Sequence, residues 1–421
     1  MVYNINPRSF LRELLIAIVI MFNAICFSVN ELMPSVSDFG DVLVIFVILF
    51  GTINCLMSGK IIIRRFLLIN GVILLWMLGS YVFYGFNKDI YLLLINYLVW
   101  GIIISFFMTL EYDVQKTLNI ALPIASIILF LDLQYNGHKL YDSMTWTYSV
   151  FPCLCVCFTH MTLCKGQLGK WRWLFYIPAI LILFRYCAEA NRGGWVSLIV
   201  LVYLLTAKTK IKKDTKLRNR VLWNMLFLSM IVFSVFFYDG IIKVLYKITT
   251  DLDVHIYSIE KMYRGILAND VSNSRAELYQ LAWKGFLASP IWGQGIGAFA
   301  VNYHTWPHNF VLQLLYEGGM LLFLLVMIPF GKIFLAVIKS NSISSTDYAM
   351  FVCLFATSVP KILVTSELWK VQGFWLLLAF GMMRLPYIQN RIIFSECSAF
   401  TQQDSMTAAT VSNDIQRRTE L

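Results

Sequence analysis

Leu14-Leu-Ile-Ala-Ile-Val-Ile-Met-Phe-Asn-Ala-Ile-Cys-Phe-Ser-Val29 carries no charge. It approaches the ~20 residues that a helix needs to cross a ~30 Å hydrocarbon layer. A secretory leader has a similar apolar centre, but no small-x-small cleavage site follows, and many further apolar runs do. The run therefore reads as a retained first span, and the same reading extends along the chain. Of the 421 residues, 59% are hydrophobic and 14% charged, against about 25% charged in a soluble domain. The charges gather between the apolar runs. Hydrocarbon offers the backbone no hydrogen-bond partner, so self-satisfied helices are expected: an all-α, polytopic integral membrane protein.

Twelve spans are expected, over 14–32, 39–58, 66–86, 90–110, 117–133, 146–164, 171–187, 193–207, 221–238, 308–331, 347–363 and 369–385. The short eighth span and the turn around Pro360 and Lys361 are the boundaries on which that count depends. Arg8, Arg12, Lys60, Arg64, Arg65, Lys116, Lys165, Lys170 and Arg172 fall in alternate connections. The cluster Lys208–Arg220, Lys332, Lys339 and the tail from Arg384 join the same side. The positive-inside rule then puts both termini in the cytoplasm and the one large loop, 239–307 between spans nine and ten, on the outer face. Residues 1–398 form the membrane domain, and the polar stretch 399–421 is expected to be a disordered tail.

The Lys208–Arg220 cluster lacks the interleaved aromatics of a nucleic-acid reader and lies beside a span end, so it suits anionic membrane lipids. The net charge of +10 therefore calls for no nucleic acid. Most of the nine cysteines lie in apolar runs, which suggests no disulfide framework. Cys153 and Cys157 share a helix face and read as packing rather than metal ligands.

The chemistry gathers in and around the outer loop. Gly240–Tyr246 is partly apolar, with Lys243 and Lys247 nearby, and suits either a membrane-surface lid or a plain loop helix. Ser272-Asn273-Ser274 can cap a helix from about Arg275, with Leu278, Leu281, Ala282 and Phe286 as its buried stripe. Pro290 ends that pattern, and Gly293, Gly295 and Gly297 permit an irregular backbone. Arg192 and Arg275 sit at helix starts, where a guanidinium fork and exposed N–H groups suit phosphate. Arg185 and Arg264 are possible assistants. The alternative is that these arginines snorkel to headgroups or pair with Glu189 and Glu277.

His308 follows Pro307 at the mouth of span ten, where a neutral imidazole can take a proton from a sugar hydroxyl. A histidine at a membrane boundary can equally be a plain hydrogen-bonding residue, and His304 is a second candidate base. Asn309 can orient the histidine or a sugar. Trp306 can stack on a sugar or belong to the interfacial belt. Glu317 lies nine residues past His308, about 13 Å along an ideal helix and on the opposite face. It suits pinning a neighbouring helix or arginine, with Gly318 and Gly319 allowing close packing or a break. No Walker loop, metal-spaced cluster or dinucleotide motif is present, so neither a metal nor another cofactor is expected.

Four segments occur in order around the loop: Asn191-Arg192-Gly193-Gly194, Asn273-Ser274-Arg275, Pro290-x-x-Gly293-x-Gly295-x-Gly297, and His308-Asn-Phe-Val-Leu-Gln-Leu-Leu-Tyr-Glu-Gly-Gly319. Together, over about 190–320, they resemble the O-antigen ligase and O-antigen polymerase superfamily of bacterial inner-membrane glycosyltransferases. The resemblance implies an undecaprenyl-diphosphate-linked glycan as donor and a periplasmic site. It implies a sugar or lipid A–core acceptor and, as neighbours, other polysaccharide assembly proteins. By the same resemblance Arg192 and Arg275 match the family's diphosphate-binding arginines, His308 its catalytic histidine, and Glu317 its acidic position. The compact outer loop favours a polymerase over a ligase. A transporter of lipid-linked oligosaccharide is the reading from a different class, but the chain lacks clear internal halves.

Overall fold

The computed structural model describes residues 7–33, 39–56, 64–134, 143–164, 170–211, 238–253, 256–268, 275–339 and 343–384, together with Met225. The expected ninth span, the Ser272–Ser274 cap, the basic cluster beyond Ile211 and the tail 399–421 lie outside these residues, apart from Met225 and Tyr238. Among the described residues every regular element is helical.

The first eight helices are α1 (Pro7–Leu32), α2 (Phe39–Leu56), α3 (Arg64–Phe83), α4 (Lys88–Phe107), α5 (Val114–Gln134), α6 (Ser143–Leu163), α7 (Ile177–Glu189) and α8 (Arg192–Ile211). The loop supplies α9 (Tyr238–Asp251), α10 (Tyr257–Leu267), α11 (Arg275–Ala288) and α12 (Ala298–Tyr303). Helices α13 (Phe310–Lys339), α14 (Ser345–Val364) and α15 (372–384) close the described fold. Eight of the described helical segments are long and apolar enough to cross a membrane.

Helix α6 is the hub. Residues Cys153–Cys157 are fully enclosed, and α5, α8 and α14 pack around them. The cysteines there are small apolar fillers. Helices α2 and α3 instead leave Leu49, Leu68 and Leu75 more than half exposed. Lipid tails are as apolar as leucine, so an outer membrane helix gains nothing by hiding such residues.

The expected tenth span differs in one informative way. Helix α13 begins at Phe310, leaving His308 and Asn309 ahead of it, and it breaks at Gly319, where φ is 60° and ψ −158°. The turn after Pro290 docks on this break. Gln294 N donates to Tyr316 O at 2.8 Å, Gly295 N to Glu317 O at 2.8 Å, and Met320 N to Pro290 O at 2.8 Å. Loop backbone thus pairs with helix backbone, which requires close approach at Gly293 and Gly319. A Cβ on Gly293 would lie 2.4 Å from Gly318 N, and one on Gly319 would lie 2.4 Å from Ile291 C.

Helix α11 starts at Arg275 as expected and buries Ala282 and Phe286. Ala282 joins Ala298, Phe299 and Tyr316 in a small core, with Leu278 and Leu281 against it. The same turn reaches α3, where Ser80 Oγ accepts from Ile296 N at 2.8 Å and Tyr84 OH donates to Gln294 O at 2.8 Å. Helices α9 and α10 pack together through stacked Tyr246 and Tyr263, 4.0 Å apart. Val244, Leu245 and Ile248 of α9 remain exposed.

Gly319→Ala is expected to cost about 2 kcal/mol or more, because strain at positive φ adds to a backbone clash. Gly331→Ala, with nothing within 4 Å, should be neutral or slightly stabilising. Thermal unfolding of both variants in detergent checks this, and equal melting temperatures would refute it.

Candidate functional site

A helix leaves its last carbonyls without intrahelical partners. At the end of α14 they collect side chains from distant parts of the chain. Arg275 Nη1 donates to Val364 O. His308 Nδ1 bonds Thr365 O at 2.6 Å, and Trp306 Nε1 donates to the same oxygen at 3.3 Å. The Thr365 hydroxyl lies 2.8 Å from Tyr148 OH on α6. Gly193, beside Arg192, packs so closely here that a Cβ would fall 1.9 Å from Tyr148 OH and 2.8 Å from Thr365 Oγ1.

His308 is fixed on both sides. It adopts φ 54°, and Asn309 Oδ1 caps α13 by accepting from Val311 N at 3.0 Å and Leu312 N at 3.2 Å. A carbonyl only accepts, so Nδ1 must carry the proton, and the neutral ring presents its lone pair at Nε2. Burial lowers the imidazole pKa from its ordinary 6.5, and the Arg275 charge adds to this, while the Thr365 bond works the other way. At neutral pH His308 is therefore a base.

Arg192 opens α8. Its Nη2 donates to Lys261 O on α10 at 3.4 Å, which ties that helix to the loop. Asn191 Oδ1 accepts from Gly194 N at 2.7 Å and caps the same helix end. Trp306 stands 5.2 Å from the His308 ring and under Lys370 Nζ, 5.4 Å from the ring centre.

The other expected residues are engaged differently. Arg185 Nη1 lies 3.6 Å from Asp132 and Nε 3.2 Å from Glu189, with its guanidinium over Trp146. Arg264 pairs with Glu260 at 3.3 Å, and its side chain is 72% exposed. His304 is exposed at the end of α12, with φ 54°. Glu317 is buried and pins a neighbour, accepting from Trp369 Nε1 at 2.6 Å and Gln313 Nε2 at 3.2 Å. Gly318 packs against Leu322 within its own helix. Among the described residues no three His, Cys, Asp or Glu are grouped to hold a metal.

Sequence reasoning missed Thr365, Tyr148 and Lys370, and treated Lys361 only as a span boundary. Lys361 Nζ sits 4.8 Å above the Tyr148 ring. A lysine inside an apolar run was the available signal.

Residues 177–327 match the sequence model of the O-antigen ligase family. Through this stretch the chain is similar to the O-antigen ligase family. None of the curated proteins and none of the solved structures gave a match. The O-antigen ligase-type stretch contains Arg192, Arg275 and His308, whereas Val364 and Thr365, which hold two of them, lie beyond it. The similarity accompanies eight described helical segments that are long and apolar enough to cross a membrane.

Titration of His308 by NMR should give a midpoint below 6.5. Arg275→Gln removes a nearby positive charge that disfavours the imidazolium, so the midpoint should rise. A midpoint that falls would contradict the geometry.

Proposed function

We propose that this protein transfers a lipid-diphosphate-linked glycan to a sugar hydroxyl on the periplasmic side of the bacterial inner membrane, with both termini in the cytoplasm. The observation that carries this reading is the placement of Arg275 and His308 on consecutive carbonyls, Val364 and Thr365. A phosphate-binding fork and a proton acceptor are thereby held side by side. Undecaprenyl diphosphate is the carrier that the similarity to the O-antigen ligase family favours.

In the proposed reaction, an acceptor hydroxyl oxygen attacks the anomeric carbon of the donor sugar. Its proton passes to His308 Nε2 while the bond from that carbon to the diphosphate oxygen breaks. The electron pair leaves with the diphosphate, whose growing charge Arg275 and Arg192 neutralise. One displacement of this kind inverts the anomeric centre. The proton and charge transfers need neither a metal nor a nucleotide. Trp306, beside the histidine, gives a sugar face a surface on which to stack.

A surface-polysaccharide polymerase is the preferred form. Two of the four described loop helices, α11 and α12, pack on α13, which leaves less of the loop to recognise a large second acceptor. Transfer to lipid A–core is the second reading, favoured by the description of the matched family.

Purified protein given lipid-linked repeat units, with and without lipid A–core, tests both readings. Longer lipid-linked glycans mark a polymerase, and glycan found only on the core marks a ligase. In detergent there is no membrane to cross, so any glycan product excludes a purely translocating role. His308→Ala should slow transfer by about 10²–10⁴, and Arg275→Ala by about 10²–10³. Full activity in either variant at normal yield would refute the assignment.

A further inference from the structure

A cavity of about 360 Å³ is lined in part by Tyr148, whose hydroxyl bonds Thr365. Its wall includes Lys361, Lys370, Asn23, Asn30, Ser149 and Gln372, contributed by α1, α6, the end of α14, the turn after it and the start of α15. The volume falls at the small end of ligand pockets, which begin near 300 Å³.

The wall is unusual for its depth. Asn23 lies within the α1 span and remains exposed. Asn30 Oδ1 is buried and accepts no hydrogen bond among the described residues. Lys361 belongs to the last turn of α14, and a cation gains there from the helix dipole. The dipole accounts for a lysine in that turn but leaves the amides and hydroxyls opposite unexplained. Lys370 is paired with Glu367 at 2.9 Å and keeps further N–H donors for the cavity, while Lys361 has no carboxylate beside it among the described residues.

Amides and hydroxyls that can both donate and accept match ring hydroxyls. An ammonium within reach of them adds recognition of an anion. We infer that this cavity is a second glycan subsite, which takes a sugar bearing an acidic group. The inference rests on the reading that this end of the helices handles glycans. The subsite shares its wall with the candidate site, because Tyr148 lines the cavity and its hydroxyl bonds Thr365. An acidic sugar held there would be one unit of the glycan whose neighbouring unit reaches His308.

Binding is tested without transfer, on the full chain in detergent. The probes are methyl glucuronide, methyl glucoside and inorganic phosphate, read by tryptophan fluorescence and calorimetry. Saturable glucuronide binding is expected, weakened roughly tenfold or more by Lys361→Met and by Lys370→Gln, and little changed in Arg275→Ala. The Lys370 variant, at a half-exposed position, carries the test if Lys361→Met fails to fold. Equal affinity for the glucoside would overturn the inference, as would loss in Arg275→Ala as large as in the lysine variants, or no binding at all. Displacement of the glucuronide by phosphate at similar concentration would also overturn it, because the cavity would then read any anion. Glucuronide binding through Lys361 in a protein that transfers nothing would leave the subsite standing and remove the proposed function.

Discussion

The carbonyls of Val364 and Thr365 are the constraint on which this end of the molecule depends. Helix α14 stops there, and its last acceptors have no intrahelical donors, so they take donors from elsewhere. Arg275, 89 residues away, and His308, 57 residues away, supply them. A charged donor makes the stronger bond, and the exchange works in both directions. The helix end is satisfied, and two mobile side chains are given fixed directions. The segment that presents these carbonyls is itself held by Trp369 on Glu317, and by Gln313 Oε1, which accepts from Leu368 N at 3.0 Å. Glu367, beside Lys370, adds a further anchor. Burial raises its carboxyl pKa, and the lysine charge opposes that shift.

The turn after Pro290 is tied to α13 in the same way. A loop that merely connected two spans would have its backbone in water and little reason for glycines at fixed spacing. Here Gly293 and Gly319 let two backbones meet, and the freed groups on each bond the other. The break in α13 therefore strands few polar groups. It also explains why Pro290-x-x-Gly and Glu317-Gly-Gly occur together: each supplies what the other lacks. Phe299 and Tyr316, packed edge to face at 5.0 Å, close the contact from the apolar side.

Much of the helical layout was legible because a span is a local property, set by length and absence of charge. The start of α11 at Arg275 and its stripe of Ala282 and Phe286 followed from spacing for the same reason. What the sequence concealed was pairing across the fold. Thr365 is an ordinary residue in a short polar turn, and only its position after the last turn of α14 makes its carbonyl an acceptor. Arg185 and Arg275 looked equivalent as arginines beside apolar runs. The partners that separate them, Asp132 for one and Val364 O for the other, are far away in the chain. Asn309 was expected to orient the histidine or a sugar. Its oxygen is instead used in capping α13, a role its place just before Phe310 could have suggested.

The matched family stretch ends at residue 327, yet the groups that orient His308 and Arg275 come after it. These groups act through backbone carbonyls, and any residue can supply a carbonyl, so nothing in their side chains need be retained. The matched stretch also separates the two halves of this end of the protein. Residues that would handle a shared carrier lie inside the matched stretch. Asn23, Lys361 and Lys370, which face the adjoining cavity, lie outside it.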